Sequence, residues 1–188
     1  MEDRALSTLK VMLTERGLKG EIEALGSDLA DAKLYSFGTV LIVFSTKTRV
    51  SANDLSAFIK YSQEKSHSSS LIIVAYSKPS DAVLLALRDH ISQKDVPLVQ
   101  LFEIRHLQLL YGHHKKVPKH RILKDAEITE IFKTTATKET LYRKIDSQDP
   151  MAKWVGARPG DILEVVGMCE TSAENKRHLF CMADVTNG

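Results

Sequence analysis

Between His113 and Lys124 the chain carries five basic side chains (Lys115, Lys116, Lys119, Arg121 and Lys124), three histidines (His113, His114 and His120) and no acid. A run of that sign can face a phosphate backbone or an acidic protein groove. A solvated linker has the same composition, and the residues alone leave the two readings open. The histidines also raise the question of zinc. His106, His113, His114 and His120 do not recur as HxxxH on a predicted helix, and Cys169, His178 and Cys181 lack a clear fourth ligand. No metal and no cofactor is therefore expected. The chain contains no P-loop, no dinucleotide-binding fingerprint and no Gly-x-Ser-x-Gly elbow.

The stretch Gln148 to Val166 has the most definite local grammar. Asp149 is a good N-cap, and Pro150 stands where a first helical residue has no hydrogen bond to lose. Gly156 ends that short helix, and Arg158-Pro159-Gly160 turns the chain into the alternating strand Ile162 to Val166. Trp154 lies on the helix as a core or interface anchor. A small α+β module is expected, closed by a last strand near His178 to Val185.

The elements before it follow a different rhythm. Leu6, Leu9, Met12 and Leu13 repeat at helical spacing and stop at Arg16-Gly17. Val40 to Phe44 reads as a buried strand. Ser51 with Asp54 resembles a capping box ahead of a helical face of Leu55, Phe58, Ile59 and Ser62. The serine-rich loop His67 to Ser70 leads to a second buried strand, Leu71 to Tyr76. Lys78-Pro79-Ser80-Asp81 reads as a turn and helix start, with Val83, Leu84 and Leu87 lining the helix, and Leu98 to Ile104 is a third strand. Strand, helix, strand, helix, strand implies a sheet with at least one crossover. The polar stretch Tyr111 to Lys124 breaks this pattern. A short amphipathic helix, Asp125 to Lys133, and a further helical turn, Thr137 to Tyr142, follow it. The expected domains are 1–112 and 113–188.

The 188 residues are 43% hydrophobic and 27% charged, enough apolar material for a core. The net charge of +2 is unremarkable, so only its local distribution bears on partners. Two cysteines outside any CxxC pair, with no signal-like N-terminus, indicate thiols in a reducing compartment. No window approaches the roughly 20 apolar residues of a membrane span, so a soluble intracellular protein is expected.

From Val117 to Thr171 the chain resembles the C-terminal domain of the fifth subunit shared by eukaryotic nuclear RNA polymerases, together with the archaeal RNA polymerase counterpart of that subunit. The resemblance rests on Val117-Pro118-Lys119-His120, an acidic amphipathic helix, Ile145, Asp149-Pro150, Gly156, Gly160 and Glu170-Thr171, in the expected order and spacing. It extends more loosely to Met12–Gly17 and to Leu71–Ala82, with its Lys78-Pro79-Ser80 turn. The chain departs from the pattern at Tyr142-Arg143-Lys144, at Gly167 and at Cys169, where other residues are usual, and arginines usual after Thr171 are replaced. In archaea the family consists of the C-terminal domain alone, so a chain with both halves looks eukaryotic, or viral with a eukaryotic-like polymerase.

The resemblance implies an α/β N-terminal jaw domain of restriction-endonuclease-like topology and a small α+β C-terminal assembly domain. It implies a non-catalytic subunit, present in single copy, that anchors on the largest subunit beside other core subunits. The lower jaw would contact downstream duplex DNA without sequence preference. The site would be the nucleus, or a viral transcription factory or virion. Lys78, Pro79 and Ser80, helped by Lys47 and Arg49, are the expected DNA contacts. Val117, Pro118, Lys119, His120, Asp149, Pro150, Gly156, Gly160, Glu170 and Thr171 are the expected docking residues. The alternative is a stand-alone nucleic-acid-binding adaptor of the same fold, in which the basic run Lys115 to Lys124 binds directly. A vestigial nuclease is a third reading. Its nearest residues are Asp81 and Glu103-Ile104-Arg105, where arginine replaces the lysine that such Mg²⁺ sites expect.

Overall fold

The computed structural model describes residues 1–26, 29, 31–66, 68–93, 96–135, 142–168 and 174–183, with the side chains of 65, 66, 134 and 135 excepted. The chain divides into two compact units, Met1–Leu110 and Tyr111–Gly188. Tyr111 and Gly112 fall in the second unit because both pack on Trp154. No helix among the described residues is long and apolar enough to cross a membrane.

The first unit is built on a five-stranded sheet of order β1-β2-β3-β4-β5: β1 Ile22–Leu25, β2 Ala32–Phe37, β3 Val40–Ser45, β4 Ser70–Ala75 and β5 Leu98–Glu103. The first three strands are antiparallel neighbours, whereas β3, β4 and β5 run parallel. Two crossover helices make the parallel half possible, α2 (Ala52–Tyr61) and α3 (Asp81–Ile91). Leu55 and Phe58 of α2, with Val83 and Leu87 of α3, share one core with Leu41, Val43, Leu71, Ile73, Val99 and Leu101. The alternate residues Ile42, Phe44, Ile72, Val74 and Phe102 are equally buried. Helix α1 (Glu2–Glu15) lies on their side: Leu9, Met12 and Leu13 are fully buried, and Arg16 Nη2 donates to Oε1 of the buried Gln100 at 2.8 Å. Helices on both faces explain why β3 and β4 read as continuous apolar runs. Tyr76, expected in the second strand, lies beyond it and is exposed.

The capping box is present. Asp54 N–H donates to Ser51 Oγ at 3.2 Å, and Ser51 N–H donates to Asp54 Oδ2 at 3.0 Å. The Lys47 ammonium at 2.8 Å, and then the Ser51 hydroxyl and amide, hold the Asp54 carboxyl down at about 2. Because its folded value lies below that of the unfolded chain, this group stabilises the fold above about pH 4, and the contribution is lost as pH falls toward 2. Asp54→Asn should remove that acid-labile part, and Ser51→Ala should cost about 1 kcal/mol. Denaturant unfolding of the wild type and both variants at neutral and acidic pH checks this. An identical acid dependence in Asp54→Asn would refute it.

The second unit carries a four-stranded sheet of order β6-β8-β9-β7: β6 Lys119–Ile122, β7 Arg143–Asp146, β8 Ile162–Gly167 and β9 Asn175–Met182. All pairs are antiparallel except β7 with β9. Helix α4 is Asp125–Thr135, and α5 is Pro150–Val155. Leu163, Ile145 and Cys181 on one face of the sheet form the core with Ala152 and Ala157, and Ile122, Val155 and Leu179 pack against it. On the opposite face Tyr142 meets α4 through Phe132, stacked at 6.1 Å, and meets His178 edge-on at 5.8 Å.

The position of the last strand is corrected here, and two pairings are added. The stretch Tyr111 to Lys124 is not a plain linker: it contains β6, which pairs residue by residue with β8. The last strand lies at Asn175–Met182 rather than at His178 to Val185, because Asn175 to Arg177 pair with Gly167 to Val165. The strand after Gly160 is central, between β6 and β9. The helical turn expected at Thr137 to Tyr142 lies almost wholly outside the described residues.

Candidate docking and nucleic-acid surfaces

In the first unit the expected DNA contacts occupy two loops, β3–α2 (Lys47, Arg49) and β4–α3 (Lys78, Pro79, Ser80). Parallel pairing of β3 with β4 makes both loops leave the same end of the sheet. The Ser77 hydroxyl donates to the Thr48 carbonyl and ties them together. The structure therefore brings these five residues to one surface, but their side chains differ in availability. Lys47 sits between Asp54 at 2.8 Å and Asp31 at 3.1 Å, and those carboxylates push its pKa up. Arg49 and Lys78 are exposed, and neither has an ion pair among the described residues. Ser80 is the extended N-cap residue of α3, and its exposed hydroxyl makes no capping bond to the helix. Asp81, in the first turn of α3, is exposed and adds a negative charge to the same surface.

Three of the residues considered for metal chemistry, Glu103, His114 and His120, have other partners. Glu103 is 8% exposed and accepts from Arg105 Nη2 at 2.7 Å. The His114 ring accepts from the Lys116 amide, and His120 Nδ1 bonds the Pro118 carbonyl at 2.8 Å. Among the described residues no three His, Cys, Asp or Glu side chains stand where they could hold a metal ion. Cys181 is a free thiol, fully buried, and its pKa is pushed up to about 12 by burial and then by Asp161, Asp146 and Asp149. At that value the nucleophilic thiolate is scarce at neutral pH.

The expected docking residues of the second unit separate into two groups. Lys119 and His120 start β6, at the end of the sheet where β8 finishes and β9 begins. Val117 and Pro118 close the tight turn before it, in which Val117 N–H donates to the His114 carbonyl at 2.8 Å. The other group belongs to α5 and the turn after it. Asp149 Oδ1 accepts from the Met151 amide at 2.8 Å, with Pro150 at the first helical position. Gly156, at φ 80°, is a left-handed C-cap, and the Ala157 amide reaches back to the Ala152 carbonyl at 2.9 Å. Gly160 stands at φ 100° and donates to the Cys181 carbonyl at 2.9 Å, so its turn is stitched to β9 at the opposite sheet end. Burial raises the pKa of the neighbouring Asp161, whose Oδ2 accepts from the Arg158 amide at 2.7 Å. Glu170 and Thr171 lie outside the described residues.

Trp154 is the anchor of this unit's own packing. It is 4% exposed, and Tyr111 meets it edge-on with ring centres 4.7 Å apart. The Tyr111 hydroxyl donates to the Pro150 carbonyl at 3.1 Å. Gly112 lies so close that an added Cβ would stand 2.7 Å from the indole Cε2. The sequence points to Trp154 as an anchor, but its partners Tyr111 and Gly112 are hidden inside the apparent linker.

The family model described as RNA polymerase Rpb5, C-terminal domain, matches residues 111–176, which begin where the second unit begins. DNA-directed RNA polymerase subunit Rpo5 of Aeropyrum pernix is 36% identical over 70 residues, 37% of this chain and 78% of that protein. The DNA-directed RNA polymerases I, II, and III subunit rpabc1 of Dictyostelium discoideum is 23% identical over 144 residues, 77% of this chain and 72% of that protein. The DNA-directed RNA polymerases IV and V subunit 5B of Arabidopsis thaliana is 31% identical over 97 residues, 48% of this chain and 44% of that protein. The archaeal likeness spans fewer residues than the second unit contains, whereas the Dictyostelium likeness is longer than that unit and so reaches into the first. With more than two thirds of the archaeal relative matched at that identity, the chain belongs to the RNA polymerase Rpb5 family.

Proposed function

We propose that this chain is a non-catalytic subunit of a multisubunit DNA-directed RNA polymerase, held by its second unit and reaching downstream DNA with its first. The observation that carries this reading is the coincidence of the family match with one compact unit. The unit that the family model matches is the module that holds the subunit in its enzyme. Docking on the largest subunit, in single copy, uses the Val117–His120 segment together with the Asp149-Pro150 cap and the Gly160 turn. The first unit, a restriction-endonuclease-like element of the lower jaw, lies beside the incoming duplex. A jaw needs weak phosphate contacts that let DNA slide, and base readout would impede it. Two parallel-strand loops with Lys78, Arg49 and the Ser80 hydroxyl at one sheet end meet that need. The likeness to a subunit of polymerases I, II, and III supports the nucleus as the place of action.

Lys78→Ala should weaken crosslinking of the assembled polymerase to downstream duplex several-fold while the subunit stays in the complex. Arg49→Ala should act in the same direction, and Lys47→Ala more weakly, because Lys47 is already committed to two carboxylates. Crosslinking by Lys78→Ala at the wild-type level would remove this turn from the DNA path.

A further inference from the structure

We propose that the second unit carries a separate nucleic-acid surface, formed by Lys115, Lys116, Lys119, Lys176 and Arg177 at one end of its sheet. The basic run seen in the sequence is only partly available. Arg121 is committed, with Nε 2.8 Å from Glu164 and Nη1 2.8 Å from Glu127. The fold replaces it with cations from far along the chain. Val166 of β8 pairs with Lys119 of β6 on one side and with Lys176 of β9 on the other. Antiparallel partners point to the same face, so two ammonium groups flank one valine, about 10 Å apart across two strand spacings. Arg177 pairs with Val165 and projects from the other face of the same sheet end. Lys115 and Lys116 lie in the turn that leads into β6, and Pro118 at the close of that turn is within 3.9 Å of a Cβ position on Gly167.

All five side chains are exposed, and none has an ion pair among the described residues. The nearest described carboxylates in sequence are the exposed Glu174, just before β9, the exposed Asp125 at the start of α4, and Glu127 and Glu164, which are both held by Arg121. Free cations spread over such a distance suit a polyanion better than a single small anion. The likeness to DNA-directed RNA polymerase subunits, on which this choice rests, selects a nucleic acid among polyanions. Four of the five are lysines, hydrated point charges on flexible stems that suit phosphate positioning contacts. The surface therefore takes the phosphate backbone of a nucleic acid, without base readout.

The test uses the full chain and a fluorescein-labelled 20-base-pair duplex in a salt titration. One variant combines Lys115→Glu with Lys116→Glu, a second combines Lys176→Glu with Arg177→Glu, and Lys119 stays intact because it also belongs to the docking segment. A control combining Lys10→Glu with Lys19→Glu changes the net charge equally from exposed positions in the first unit. Each second-unit variant should bind at least about tenfold more weakly, with the slope of log K against log salt reduced by about 0.9 for each lost phosphate contact. The control should bind as the wild type does, and unlabelled duplex should compete far better than polyglutamate of equal total charge. Wild-type binding by both second-unit variants would overturn the proposal. Equal competition by polyglutamate would also overturn it, making the surface an acceptor for acidic protein. The jaw assignment is untouched by either result, since it rests on Lys78 in the other unit.

Discussion

Trp154→Ala should leave the second unit unfolded, and with it release the subunit from the polymerase. Truncating a buried large aromatic costs about 3–5 kcal/mol. A single core in a domain below about 80 residues rarely supplies more than 3–5 kcal/mol in total. The loss is concentrated because the indole is the surface on which Tyr111 and Gly112 are laid, and the Tyr111 hydroxyl in turn holds the Pro150 carbonyl. Gly112→Val approaches the same contact from the other side. Its Cβ would enter within 2.7 Å of Cε2 and 2.8 Å of Nε1, so the ring or the backbone must move. Trp154 is the only tryptophan, so its fluorescence reports on this unit alone in Gly112→Val, while circular dichroism follows Trp154→Ala. A cooperative second-unit transition in Trp154→Ala at the wild-type denaturant midpoint would refute the anchoring role.

Gly160→Val should cost about 1–3 kcal/mol and impair assembly. The cause is the backbone, since nothing lies within 4 Å of a Cβ there, but φ is 100°, a conformation that β-branched residues essentially do not adopt. Relieving that strain rotates the peptide that donates to the Cys181 carbonyl and disturbs the Arg158–Asp161 turn. The expected result is a lowered second-unit midpoint and reduced recovery with the largest polymerase subunit. Normal recovery would show that the Gly160 turn is not needed for docking.

Features governed by neighbours along the chain are legible in the residues themselves. The Ser51–Asp54 box, the Asp149-Pro150 helix start and the Gly156 stop are each set by a few consecutive residues, and all are present. The buried strands β3 and β4 stand out as apolar runs because both faces are covered. Strands whose state is supplied by partners are not legible in this way. β1, β2, β6 and β7 carry polar or basic residues such as Lys119-His120-Arg121 and Arg143-Lys144, and they are strands because a neighbour pairs with them. The same limit applies to charge. Nothing in the local pattern separates Lys47, held by Asp31 and Asp54, from the exposed Lys78, or brings Lys176 to the same sheet end as Lys119. Sequence order gives the cations, and long-range pairing decides which of them remain available to a partner.

The central claim is most directly tested by tagging the full chain, recovering it from native extract, and measuring subunit stoichiometry by mass spectrometry beside templated RNA synthesis. The account predicts near-equal amounts of the tagged chain and the large polymerase subunits, with synthesis activity in the same fraction. It also predicts loss of both with Trp154→Ala and retention of the complex with Lys78→Ala. Recovery of the wild-type chain alone, or with partners unrelated to transcription, would contradict it.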